Sequence, residues 1–66
     1  MNIKFRENFS NGHVEVIVND TKVYSHDEYR GAAQWAIDKY ELSDDEMAVI
    51  FRDYKDDYDT QREEVL

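Results

Sequence analysis

The chain has 66 residues, no Cys, and 16 acids against 8 bases, for a formal net charge of −8. That length holds one domain with a modest core. The lack of Cys excludes disulfides and thiolate metal sites, and no stretch is apolar enough to span a bilayer. Nine aromatic residues and many Val and Ile supply core material, so the composition is not that of a disordered chain.

The first residues alternate, with Ile3 and Phe5 on one side and Lys4 and Arg6 on the other, which predicts a strand with one buried face. Ser10-Asn11-Gly12 is a turn cluster in which Gly is free to take positive φ. His13 to Val18 follows, with Val14, Val16 and Val18 on one face, where β-branching suits a pleated surface. Asn19-Asp20 fits a two-residue hairpin turn, since both tolerate left-handed geometry. Thr21 to Tyr24 is then a short third strand.

Ser25-His26-Asp27-Glu28 has the form of a capping box, with two acids in a first helical turn. Tyr29, Ala32, Ala33, Ala36, Ile37 and Tyr40 follow at helical spacing. The three Ala allow close approach to a sheet. Trp35 falls off the centre of that stripe, where it either covers a sheet edge or lies in a contact surface.

Residues 41–54 satisfy two patterns. Ser43-Asp44-Asp45-Glu46 is a second possible capping box, and Met47, Ile50, Phe51 and Tyr54 match a helix stripe. Val49-Ile50-Phe51 is also a β-rich run. We expect a strand at 47–54, with a helix as the alternative. Residues 55–66 are highly polar and fit a flexible tail, an extension of the strand or a short helix. The expected fold is one α+β domain over residues 1–66: a small antiparallel sheet of three to four strands with one amphipathic helix packed on it, in the order β-β-β-α-β. The expected core is Ile3, Phe5, Val14, Val16, Val18, Val23, Ala33, Ala36, Ile37, Val49 and Phe51, with Tyr29 and Tyr40 at its edges.

Catalysis has little support in these residues. Acid–base work needs positioned groups in a cleft, and Ser10, Ser25 and Ser43 all fall at turns or caps. His13 opens a strand and His26 opens the expected helix. Asp53, Asp56, Asp57 and Asp59 superficially resemble a calcium loop, but that pattern requires a Gly at its sixth position, and no Gly follows Gly31. No catalytic residue, metal ligand or cofactor is expected. No basic head with an apolar block marks a secretory signal, and the absence of Cys agrees with a cytoplasmic setting. A small core without disulfide or metal points to a homodimer, with a compact lone monomer as the alternative.

The charge is asymmetric. Residues 1–37 carry five acids and four bases, whereas residues 38–66 carry eleven acids and four bases. This distribution argues against direct nucleic-acid binding, which needs clustered Lys and Arg. Asp44, Asp45, Glu46, Asp53, Asp56, Asp57, Asp59, Glu63 and Glu64 form a candidate recognition surface, with Tyr54 and Tyr58 interleaved as apolar anchors. In an extended segment, alternate positions are about 6.8 Å apart, as are two phosphate steps along a DNA strand, at about 6.8 Å. Rows of carboxylates so spaced would suit a basic DNA-binding protein. Acidic faces also keep small proteins soluble, and the charge alone fits that reading equally well.

In size, charge and charge placement the chain resembles the small acidic DNA-mimic proteins encoded by bacteriophages. That resemblance implies inhibition by occupancy of a host DNA-binding groove, in the host cytoplasm. It implies a target such as an HU-type nucleoid protein, a restriction or repair enzyme, a CRISPR effector or RNA polymerase. The alternative of a different class is a non-enzymatic adaptor that binds through an apolar surface around Trp35.

Overall fold

Two hairpins share a central strand. β1 (Ile3–Asn8), β2 (His13–Val18) and β3 (Thr21–His26) pair antiparallel in the order β1-β2-β3. The computed structural model describes residues 2–65, and side chains over residues 2–63. At the first turn the Asn8 carbonyl accepts the Gly12 N–H at 2.8 Å, and Gly12 takes a φ of 74°. At the second, Asn19 and Asp20 have φ of 51° and 68°, the left-handed pair that a two-residue hairpin requires. Asn19 also ties down the start of the chain: its N–H donates to the Asn2 carbonyl at 2.9 Å, and its side-chain oxygen accepts the Asn2 N–H at 3.1 Å.

Register sorts the side chains. Phe5 opposes Val16, and Val16 opposes Tyr24, so these three share the core face with Val14. Between Val16 and Ile17 the β2–β3 register slips: Val16 pairs with Tyr24 but Ile17 pairs with Lys22. Val23 is therefore the extra residue of a β-bulge. It is 42 % exposed rather than in the core where alternation had put it. On the opposite face Glu15 and Ile17 are buried on the central strand. Arg6 and Asn8 donate to the Glu15 carboxylate, and Lys22 lies 3.8 Å from it.

α1 (Tyr29–Tyr40) packs across β2 and β3. Ala32 and Ala36 are fully buried beneath it, which is the close approach their small side chains permit. The Ser25 capping box does not form. β3 runs on to His26, with Ser25 opposite Glu15, and the helix starts after Glu28, which makes no side-chain cap. The His26 ring lies over the first turn instead, so close that a side chain on Gly31 would collide with it. Its Nδ1 accepts the Glu28 N–H at 3.0 Å and also sits 3.0 Å from the Asp27 carboxylate. A single ring nitrogen accepts or donates, so these two uses are alternatives. α1 ends on Glu41 in left-handed geometry, φ 53°.

The expected strand at 47–54 is a helix. α2 (Asp44–Val65) takes up that segment and continues through residues 55–65, which therefore neither extend a strand nor form a separate short helix. The cause is local. The Ser43 hydroxyl accepts the Glu46 N–H at 3.2 Å, and the Glu46 carboxylate accepts the Ser43 N–H at 3.0 Å, closing a reciprocal capping box. A strand would have placed Arg52 on one face and Asp53 on the other. The helix turns Met47, Ile50 and Tyr54 inward against β1 and leaves Val49 and Phe51 47 % and 48 % exposed.

The result is an α+β protein with helices on a three-stranded antiparallel sheet. Of the expected core, Phe5, Val14, Val16 and Ala36 are buried, and Ile3, Val18, Ala33, Tyr29 and Tyr40 pack partly buried against them. Ile37 is half-buried outside that cluster, while Ala32 and Ile50 complete it.

Candidate interaction surface

All nine acids of the expected recognition surface fall on α2. Asp44, Asp45, Glu46, Asp53, Asp56, Asp57, Asp59 and Glu63 are exposed, and the Glu64 side chain lies outside the described ones. Asp44, Asp45 and Glu46 occupy the first turn, where negative charge suits the helix dipole. The Ser43 amide, then its hydroxyl, hold the Glu46 carboxyl below the usual range. Those three acids thus have a structural use. The remaining acids have none of comparable strength. Among the described residues only Asp53 of the nine forms an ion pair, with neighbouring Arg52 at 3.4 Å, and Asp57 accepts from Gln61 at 2.6 Å.

Helical geometry replaces the spacing expected of an extended segment. Asp45, Asp56 and Glu63 recur near whole turns on the outward side, while Glu46, Asp53 and Asp57 line the flank beside β1. Seven helical residues rise about 10.5 Å, close to the roughly 10.2 Å of three phosphate steps. The whole 22-residue helix spans about 33 Å. One DNA strand carries roughly ten phosphates over that rise, and α2 carries nine acids and three bases.

Tyr54 and Tyr58 do not stand among these acids as exposed anchors. Four residues apart, they share the inward side of α2 and are half-buried. The Tyr54 hydroxyl donates to Glu7 at 3.0 Å, and Tyr58 packs on Phe9 with ring centroids 5.2 Å apart. Burial first, then the bond to Glu7, raise the Tyr54 pKa well above the usual tyrosine range. Among the described residues the large apolar side chains that α2 exposes are Val49 and Phe51. The alternative helix stripe carries this signal: with 47, 50 and 54 inward, residue 49 faces out, and residue 51, counted within the stripe, sits on its shoulder.

Trp35 is half-buried and stacks flat on Tyr24 of edge strand β3, centroids 4.3 Å apart. Lys39 reaches to within 5.7 Å of the ring centre. The ring therefore covers the sheet edge, one of the two placements its position allowed.

Several depressions flank α2, and two of them are lined by its apolar or aromatic residues. One, of about 590 Å³, lies between the start of β1, the end of α1 and Asp45, Glu46 and Asp53. The other, of about 450 Å³, opens between α2, the start of α1 and the β1–β2 turn. Tyr29 lines it, and its hydroxyl is buried without a hydrogen-bond partner among the described residues, which raises its pKa. Among the described residues no three His, Asp or Glu converge to hold a metal ion, and no helix is long and apolar enough to cross a membrane. No family model, curated protein or solved structure matches the chain.

Proposed function

We propose that the protein is a DNA-mimic inhibitor, which binds a basic DNA-binding protein through the acidic surface of α2 and displaces its DNA. The observation that carries this reading is the set of exposed carboxylates along one helix, of which, among the described residues, only Asp53 has an ion-pair partner. Such a set repels itself and costs a small domain stability. It is offset when Lys and Arg of a phosphate-binding groove approach it, because those groups respond to negative charge whatever bears it. Association would be steered and fast, and would weaken as salt rises.

On this reading the protein acts by occupancy and not by catalysis, binds no nucleic acid itself, and works in the cytoplasm of a host cell. Its resemblance to phage-encoded mimics stands with the same proposal. A homodimer belongs to it on grounds of size, and sedimentation at tens of micromolar, an order of magnitude suited to weak dimers, tests it: a monomer alone removes the dimer. The Trp35 adaptor draws less support, since one face of that ring is already stacked on Tyr24.

The test is retention of bacterial lysate proteins on the immobilised chain at low salt. Duplex DNA should elute a basic DNA-binding protein as effectively as salt does. If DNA elutes nothing that salt elutes, the mimic reading is wrong.

A further inference from the structure

The cleft of about 450 Å³ beside α2 differs from the rest of the acidic surface, because its walls are aromatic. Tyr29, Phe51 and Tyr54 form one contiguous cluster, with Tyr29 lying 5.3 Å from Phe51 and 4.9 Å from Tyr54, and Tyr58 continues it at 6.1 Å from Tyr54. Asp27, Asp59 and Glu7 line the same cleft, and Lys55 is the one cation among its lining residues. Ring faces beside carboxylates attract a cation twice, through the ring quadrupole and through its charge. A guanidinium suits such a place better than an ammonium, since it is planar, weakly hydrated and stacks on aromatic faces.

We propose that this cleft is a socket for one arginine side chain of the basic partner. The proposal rests on the partner reading above and adds a specific anchor to it. Charge along α2 would draw the partner in, and the socket would fix its register. Phe51 is the wall that a folded core needs least, being 48 % exposed. Lys55 is the built-in competitor, because it is a cation lining the space the guanidinium would enter.

The test is an amide-resolved NMR titration of the full chain with N-acetyl-arginine methylamide, against the neutral citrulline analogue. Saturable shifts confined to the amides around Tyr29, Phe51, Lys55 and Tyr58 are expected, with a dissociation constant on the order of a millimolar, and none with citrulline. Phe51→Leu, which keeps an apolar side chain and removes the ring, should weaken binding about two- to fivefold. Lys55→Gln should tighten it. Shifts that spread along all the acids of α2 without saturating, or an equal response to citrulline, would overturn the socket. The two readings fail separately. Spread shifts alongside successful displacement of DNA remove the socket and leave the charge mimic. A saturable arginine site without displacement of DNA removes the mimic and leaves the socket.

Discussion

At the scale of single residues, two serines with the same sequence context have different fates. Ser25 and Ser43 each precede a Glu by three positions, and only Ser43 caps a helix. Removing that cap by Ser43→Ala should lower stability by about 1 kcal/mol, whereas Ser25→Ala on exposed β3 should change it little. Urea unfolding of the two variants measures both, and equal losses would contradict the assignment. Glu15 contributes to the response to acid. The hydrogen bond from Arg6, then that from Asn8, hold its carboxyl below the ordinary value of 4.5 despite burial. The folded state therefore favours the ionised form, and this contribution is complete above the ordinary value. It is lost as pH falls through that value toward the lower folded one. Glu15→Gln should flatten the loss of stability between about pH 5 and 3, measured by urea unfolding at each pH. Tyr54 acts in the opposite sense at alkaline pH. Its raised pKa means that stability is intact below the ordinary value of 10.0 and declines above it.

At the scale of elements, α2 is held to the sheet by few side chains, chiefly Met47, Ile50 and Tyr54. Ile50, 8 % exposed, is the best buried, and Ile50→Ala should cost about 2–4 kcal/mol. Calorimetry or urea unfolding would show it, and a loss below about 1 kcal/mol would mean that α2 is not docked as described. The hairpins were legible, because alternation, the Gly12 turn and the Asn19-Asp20 turn all agreed on one register. The segment 47–54 was not, because Val49-Ile50-Phe51 has the composition of a strand while the spacing of Met47, Ile50 and Tyr54 is that of a helix. The capping box at Ser43 decided the matter, and its twin at Ser25 misled. The bulge at Val23 left no trace in the alternation, since it arises only when β3 pairs with β2. For the candidate surface, the acids were legible as a set. Their arrangement was not, because a helix and a strand order the same carboxylates at different spacings. The aromatic cleft depends on Tyr29 and Tyr54 meeting across 25 residues of chain, which no local pattern reveals.

At the scale of the whole molecule, charge is divided by element. Among the described residues the open sheet face holds Lys4, Arg6 and Lys22 around the buried Glu15, and α2 holds nine of the 16 acids. A protein whose charge served only solubility would gain nothing from this segregation, because mixed signs solubilise as well. A charge mimic requires it. Neutralising Asp53, Asp56, Asp57 and Asp59 tests the difference. All four are exposed, and among the described residues their only side-chain partners are Arg52 and Gln61 of the same helix, so the fold should survive, as circular dichroism would show. The decisive measurement is competition with labelled duplex DNA for the captured basic protein, across a series of salt concentrations, with the parent chain and the four-site Asn variant side by side. The parent should displace DNA at low salt and steeply less as salt rises, and the variant should displace it at least tenfold less well, on the order of 1.4 kcal/mol, with a flatter salt dependence. A folded variant that displaces DNA as well as the parent at every salt concentration would contradict the mimic reading.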